Sequence, residues 1–107
     1  PSQVPSYEVT EEEDADSVRE FEVVTGATSQ EELRKIAEDV RYENRGADAI
    51  SVDFYNGSGD SRRDAGLALI FNTREAACRA FQYPVGEQDE LAAQNNGVTV
   101  LSVEEGV

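Results

Sequence analysis

The sequence predicts an α+β fold: a single domain with a β-α-β-β-α-β core, in which one mostly antiparallel sheet carries two helices on one face. This is a ferredoxin-like sandwich. Three observations predict it. Residues 18–25 (VREFEVVT) and 48–55 (DAISVDFY) alternate apolar and polar side chains with the period of two expected of half-buried strands. Residues 25–46 between them carry apolar side chains at helical spacing, with a start and a stop signal. Two further β-type runs follow at 66–71 (GLALIF) and 98–103 (VTVLSV). At 107 residues the chain is one domain with one core.

Residues 1–6 (PSQVPS), polar with two prolines, suit a flexible tether or a cloning remnant, and 7–107 form the domain. Residues 7–10 read as a short extra N-terminal strand. The like-charge block at 11–17 (EEEDADS) reads as a solvated loop. In 18–25, Phe21 and Val23 take one face while Glu20 and Glu22 take the other. In the helix, Ser29 and Glu32 form a capping box, Leu33, Ile36, Ala37 and Val40 make the apolar stripe, Arg41 and Arg45 suit the C-terminal dipole, and Gly46 stops it.

Ile50, Val52 and Phe54 alternate with Ser51, Asp53 and Tyr55 in the next strand. Residues 66–71 are apolar throughout, as in a central strand covered on both sides. Asn72 or Thr73 can cap a short helix over 74–81 (REAACRAF), which Tyr83-Pro84 ends; the alternative for 73–82 is a longer β-hairpin. Residues 87–97 add one or two helical turns that stop at Gly97. Right-handed crossovers fold this order as the sandwich.

Charge is the strongest compositional signal. Twenty-three acids against nine bases give a formal net charge of −14. Residues 1–25 hold eight acids and one base, and 84–107 hold five acids and no base. Phosphate backbones and anionic lipids should repel such a chain, which argues against nucleic acid as a ligand. No apolar run approaches the roughly 18 residues of a membrane span, so no membrane insertion is expected. Solubility or adaptation to salt accounts for an acid excess without any partner; docking on a basic protein, or mimicry of nucleic acid, are the functional readings.

The glycine-rich stretch DFYNGSGDSRRDAG (53–66) resembles a site, yet it fits no known loop. A phosphate loop needs a lysine and a helix after its glycines, whereas Gly57 and Gly59 lead to Arg62, Arg63 and a strand. Counted as a calcium loop from Asp53, position six is Ser58 and position twelve is Asp64, so the glycine and the glutamate are both missing. Asp14 and Asp16 fail likewise, with Arg19 and Thr25 in those places. Residues 56–65 are therefore read as a ten-residue hairpin connection in which the backbone visits positive φ, with Arg62 and Arg63 exposed.

Catalysis is limited by inventory. The chain has no histidine, one lysine (Lys35) and one cysteine (Cys78). There is thus no Ser/His/Asp or Cys/His arrangement, no intramolecular disulfide and no zinc cluster. Lys35 follows Glu31 and Glu32 at ion-pairing distance along the helix, and Cys78 reads as a small core residue. No metal, cofactor or catalytic residue is expected; carboxylate-pair chemistry is the enzymatic alternative.

The run YEV…FEVVTGATSQEELRKIAEDVR…DAISVDFYNG…GLALIF, over residues 7–72, resembles small bacterial exported or lipoprotein-borne α+β domains of unassigned function. In those a capped S-x-E-E-L-x-x-I-A helix precedes an A-I-x-V-x-F-Y strand. The resemblance implies a secreted or lipid-anchored domain and transfers no catalytic residue. An N-terminal Pro1 and the lack of any methionine agree with a leader or anchor segment removed in the cell, and equally with a trimmed start.

The function expected is a non-catalytic, extracytoplasmic binding or accessory domain that presents a sheet face to a protein partner. The alternative is a cytoplasmic acidic inhibitor of a basic protein. In the sandwich the helices cover Phe21, Val23, Ile50, Val52 and Phe54. The other face then shows Glu20, Glu22, Asp53 and Tyr55, with Thr99 or Leu101, as the candidate partner surface. One aromatic among acids differs from an RNA-binding sheet, which sets several stacking aromatics beside basic residues.

Overall fold

The computed structural model describes residues 3–15, 18–57 and 59–71, and the backbone of 98–102. Five strands form one sheet in sequential order: β1 (Tyr7–Asp14), β2 (Arg19–Thr25), β3 (Ala49–Asn56), β4 (Arg63–Phe71) and β5 (Val98–Ser102). One helix, α1 (Gln30–Glu43), is present among the described residues. It joins β2 to β3, which pair in parallel; every other neighbouring pair is antiparallel. A parallel pair cannot be closed by a hairpin, and α1 supplies the crossover.

The ferredoxin-like arrangement is overturned. In that fold another strand lies between the two that the first helix joins, whereas β2 and β3 are direct neighbours from Arg19↔Ile50 to Val24↔Tyr55. The physical reason lies in β1. It takes the free edge of β2, β3 takes the other, and no later strand can reach β2. Alternation fixes which face a residue occupies and leaves the neighbouring strand open. The expected second helix at 74–81, its hairpin alternative and the turns at 87–97 lie outside the described residues.

The acidic block is a second correction: residues 11–14 continue β1 instead of forming a loop. Side-chain contacts at both ends hold the strand. The Tyr7 hydroxyl donates to Asp39 Oδ2 on α1 at 2.5 Å, and Thr25 Oγ1 donates to the Ser6 carbonyl at 2.8 Å. At the far end Arg19 Nε donates to Asp14 Oδ1 at 2.8 Å, while its Nη1 donates to Asn44 Oδ1 at 3.1 Å. Arg19 thereby ties β1 and β2 to the end of the helix. Between these ends, Val9 faces Val23 and Glu11 faces Glu22, so Thr10 is the extra residue of a β-bulge.

The capping box forms as its residues require: Glu32 N–H donates to Ser29 Oγ at 3.1 Å, and Ser29 N–H donates back to Glu32 Oε1. The helix stops earlier than Gly46. Asn44 is its C-cap, and the Asn44 side chain donates to the Val40 carbonyl at 2.8 Å. Leu33, Ile36, Ala37 and Val40 point from α1 into a core completed by Phe21, Val23, Ile50, Val52, Phe54, Ala68 and Ile70.

β4 also departs from expectation. It starts at Arg63, so the connection from β3 spans residues 57–62, contains a 3-10 turn at Gly59–Ser61 and places Gly57 and Gly59 at positive φ. Pairing jumps from Phe54↔Gly66 to Tyr55↔Asp64, which makes Ala65 the extra residue of a second bulge. β4 lies between β3 and β5; Ala68, Ile70 and Phe71 are buried, whereas Leu67 and Leu69 are half-buried.

Candidate functional site

The sheet face opposite α1 is set by register. Glu11 of β1, Glu22 of β2 and Asp53 of β3 lie side by side in one cross-strand row. Glu13 faces Glu20 in the adjoining row, and Tyr55 faces Asp64 on the other side. Directly opposed like charges destabilise a sheet. This face has two such pairs between β1 and β2 alone, Glu11↔Glu22 and Glu13↔Glu20. The result is an open groove of about 540 Å³, with Glu11, Glu13, Glu20, Glu22, Asp53, Tyr55 and Arg62 in its lining.

All four expected surface residues, Glu20, Glu22, Asp53 and Tyr55, line this groove. Glu20 and Asp53 are exposed and Tyr55 is half-buried, while the Glu22 side chain is only 13% exposed. Register sets Thr99 opposite Leu69 and Leu101 opposite Leu67, two strands away from the acids. Sequence reasoning missed Glu11, Glu13 and Asp64. Alternation within residues 11–14 would have placed the two glutamates, had the acids been allowed a strand. Arg62 is exposed, as its place in the connection predicts. In the structure it forms an ion pair with Glu22 and lies over the Tyr55 ring, its Cζ 4.0 Å from the centroid.

Proton affinities follow from this crowding. A hydrogen bond between Glu11 and Glu22, reinforced by the Glu22 charge, holds the Glu11 carboxyl above its ordinary value. The same bond, helped by Arg62, holds Glu22 below its own. Burial first, then the charges of Asp64 and Glu22, push Asp53 up. Burial, then Asp53 and Asp64, raise the Tyr55 phenol.

A pH dependence of stability follows. Glu11 and Asp53 bind protons more tightly folded than unfolded. Their contribution is full below the ordinary 4.5 and 3.8 and is lost as pH rises through the raised folded values. Glu22 and Glu32 act oppositely, contributing above 4.5 and losing that contribution as pH falls through their lowered values. The melting temperature is therefore expected to rise as pH falls from neutrality toward 4.5, and to fall below it. Glu11→Gln with Asp53→Asn should flatten the neutral side of the curve. A midpoint that drops steadily on acidification from neutrality would show that ion pairs dominate this face instead.

Among the described residues no group of three or more acids or cysteines is placed to hold a metal ion. No helix among them is long and apolar enough to cross a membrane. What the groove offers is a concentration of carboxylate acceptors, one aromatic face and one guanidinium. That set suits cationic side chains. Comparison with protein-family models, curated proteins and solved structures finds no match, so the resemblance drawn over residues 7–72 gains no support from them.

Proposed function

We propose that the domain is a non-catalytic protein-binding module whose open sheet face docks a basic protein segment. The row Glu11–Glu22–Asp53 across three adjacent strands carries this reading. Each opposed pair raises the energy of the free domain, and a partner bearing Lys or Arg along the row would relieve that repulsion. Tyr55 adds an aromatic face at the same place.

The test is a labelled extended peptide with alternating Lys and Arg, titrated against the full chain at low and at physiological salt. Binding should weaken steeply as salt rises. Tyr55→Ala combined with Glu22→Arg should weaken it by at least about tenfold while the domain stays folded. Labelled oligonucleotides should not bind. Peptide binding indifferent to both substitutions, or tight oligonucleotide binding, would overturn the proposal.

A further inference from the structure

The groove of the free domain already holds a cationic side chain. Arg62, from the connection between β3 and β4, places its guanidinium over Tyr55 and against Glu22, and its side chain is 42% exposed. Arg63, next in the chain, is exposed as an arginine leaving a turn would be. A long side chain loses rotamer freedom when pinned, so the seating of Arg62 marks a place with affinity for its head group. Tyr55 and Glu22 also supply the two features that separate a guanidinium from an ammonium: a flat face to stack on and a carboxylate for its N–H groups.

Resting on the docking reading above, we infer that Tyr55 and Glu22 form an arginine subsite, which Arg62 fills in the free domain and which an arginine of the partner takes on docking. The occupant is a protein segment carrying arginine, as the charge of the face and its seated guanidinium both require. Arg62 is then an internal competitor. The partner's apparent affinity is reduced by the fraction of molecules in which Arg62 is seated.

Two labelled peptides of identical spacing, one with arginine and one with lysine, test this against the full chain by fluorescence anisotropy. The unsubstituted domain should prefer the arginine peptide. Arg62→Ala should tighten the arginine peptide about fivefold, the range expected when a single exposed cation–aromatic contact is removed from competition. Because that change also makes the domain more negative, Arg62→Lys is the control: it keeps the charge, gives up the guanidinium and should still tighten the arginine peptide. Tyr55→Leu should erase the preference between the peptides while both still bind.

If both peptides bind equally to the unsubstituted domain, or neither Arg62 variant binds the arginine peptide more tightly, the subsite is overturned and the acidic docking face stands. If neither peptide binds at all, both readings fall together. Circular dichroism of each variant establishes that it is folded, and Arg62→Lys answers the question on its own should Arg62→Ala not fold.

Discussion

Replacing Phe54 with alanine is expected to lower the stability of the domain by about 3–5 kcal/mol, the range for removing a buried aromatic ring from a packed core. Phe54 has no solvent exposure and sits on β3, which pairs with β2 on one side and β4 on the other. Leu33, Ile36 and Val40 of α1 belong to the same core, so a cavity there loosens helix and sheet together. For a domain of this size such a loss lowers the melting temperature by roughly 15–30 °C. It is a large share of the total, since domains are typically stable by about 5–15 kcal/mol. Urea unfolding should show a lower midpoint with an unchanged slope. A loss under about 1 kcal/mol would mean that β3 is not the strand around which the core is built. Tyr55, the next residue, provides the contrast. Its ring is half-buried on the opposite face, and its removal should weaken docking far more than folding.

That contrast between neighbours on one strand was legible in the sequence. Alternation placed Phe54 inward and Tyr55 outward, and the same rule placed Phe21 and Val23 against Glu20 and Glu22. The helix was legible too, because Ser29, Glu32 and the apolar stripe state their roles within a few residues. Strand order was not. It depends on which edges are free, and Tyr7, Arg19 and Thr25 settle that through partners far away in sequence, such as Asp39, Asn44 and Ser6. The same contacts explain why four consecutive acids lie in a strand that their own preferences disfavour. Arg62 gave no local sign of its position: its partners Glu22 and Tyr55 lie on two other segments, the first 40 residues away. A charged loop residue and a seated one look alike in sequence. The groove was thus half legible, its inner strands from periodicity and its outer wall and its cation only from the fold.

The connection that delivers Arg62 depends on Gly57, and Gly57→Ala should therefore disturb both folding and the groove. Gly57 has φ 87°, where an L-side chain is strained by about 1–3 kcal/mol. A Cβ there would also lie 2.8 Å from the Ser61 carbonyl oxygen and 3.3 Å from its carbon. Both are backbone atoms of the 3-10 turn at Gly59–Ser61, so no side chain can swing aside to make room. The turn must shift, and Arg62 follows it directly, its N–H donating to the Gly59 carbonyl at 3.3 Å. Two glycines separate strain from contact. Gly59 has φ 58° and nothing within 4 Å of a built Cβ, so Gly59→Ala should cost only the backbone strain of about 1–2 kcal/mol, and Gly59→Asn less. Gly46 has neither feature, and Gly46→Ala should be nearly neutral. Chemical denaturation should rank the three alanine variants Gly57, Gly59, Gly46 from most to least destabilised, and the Tyr55 ring resonances should move in the Gly57 variant as the guanidinium leaves its face. Equal losses at Gly57 and Gly59 would show that the turn yields without resistance; unmoved Tyr55 signals in a destabilised Gly57 variant would show that Arg62 holds its place independently of the turn.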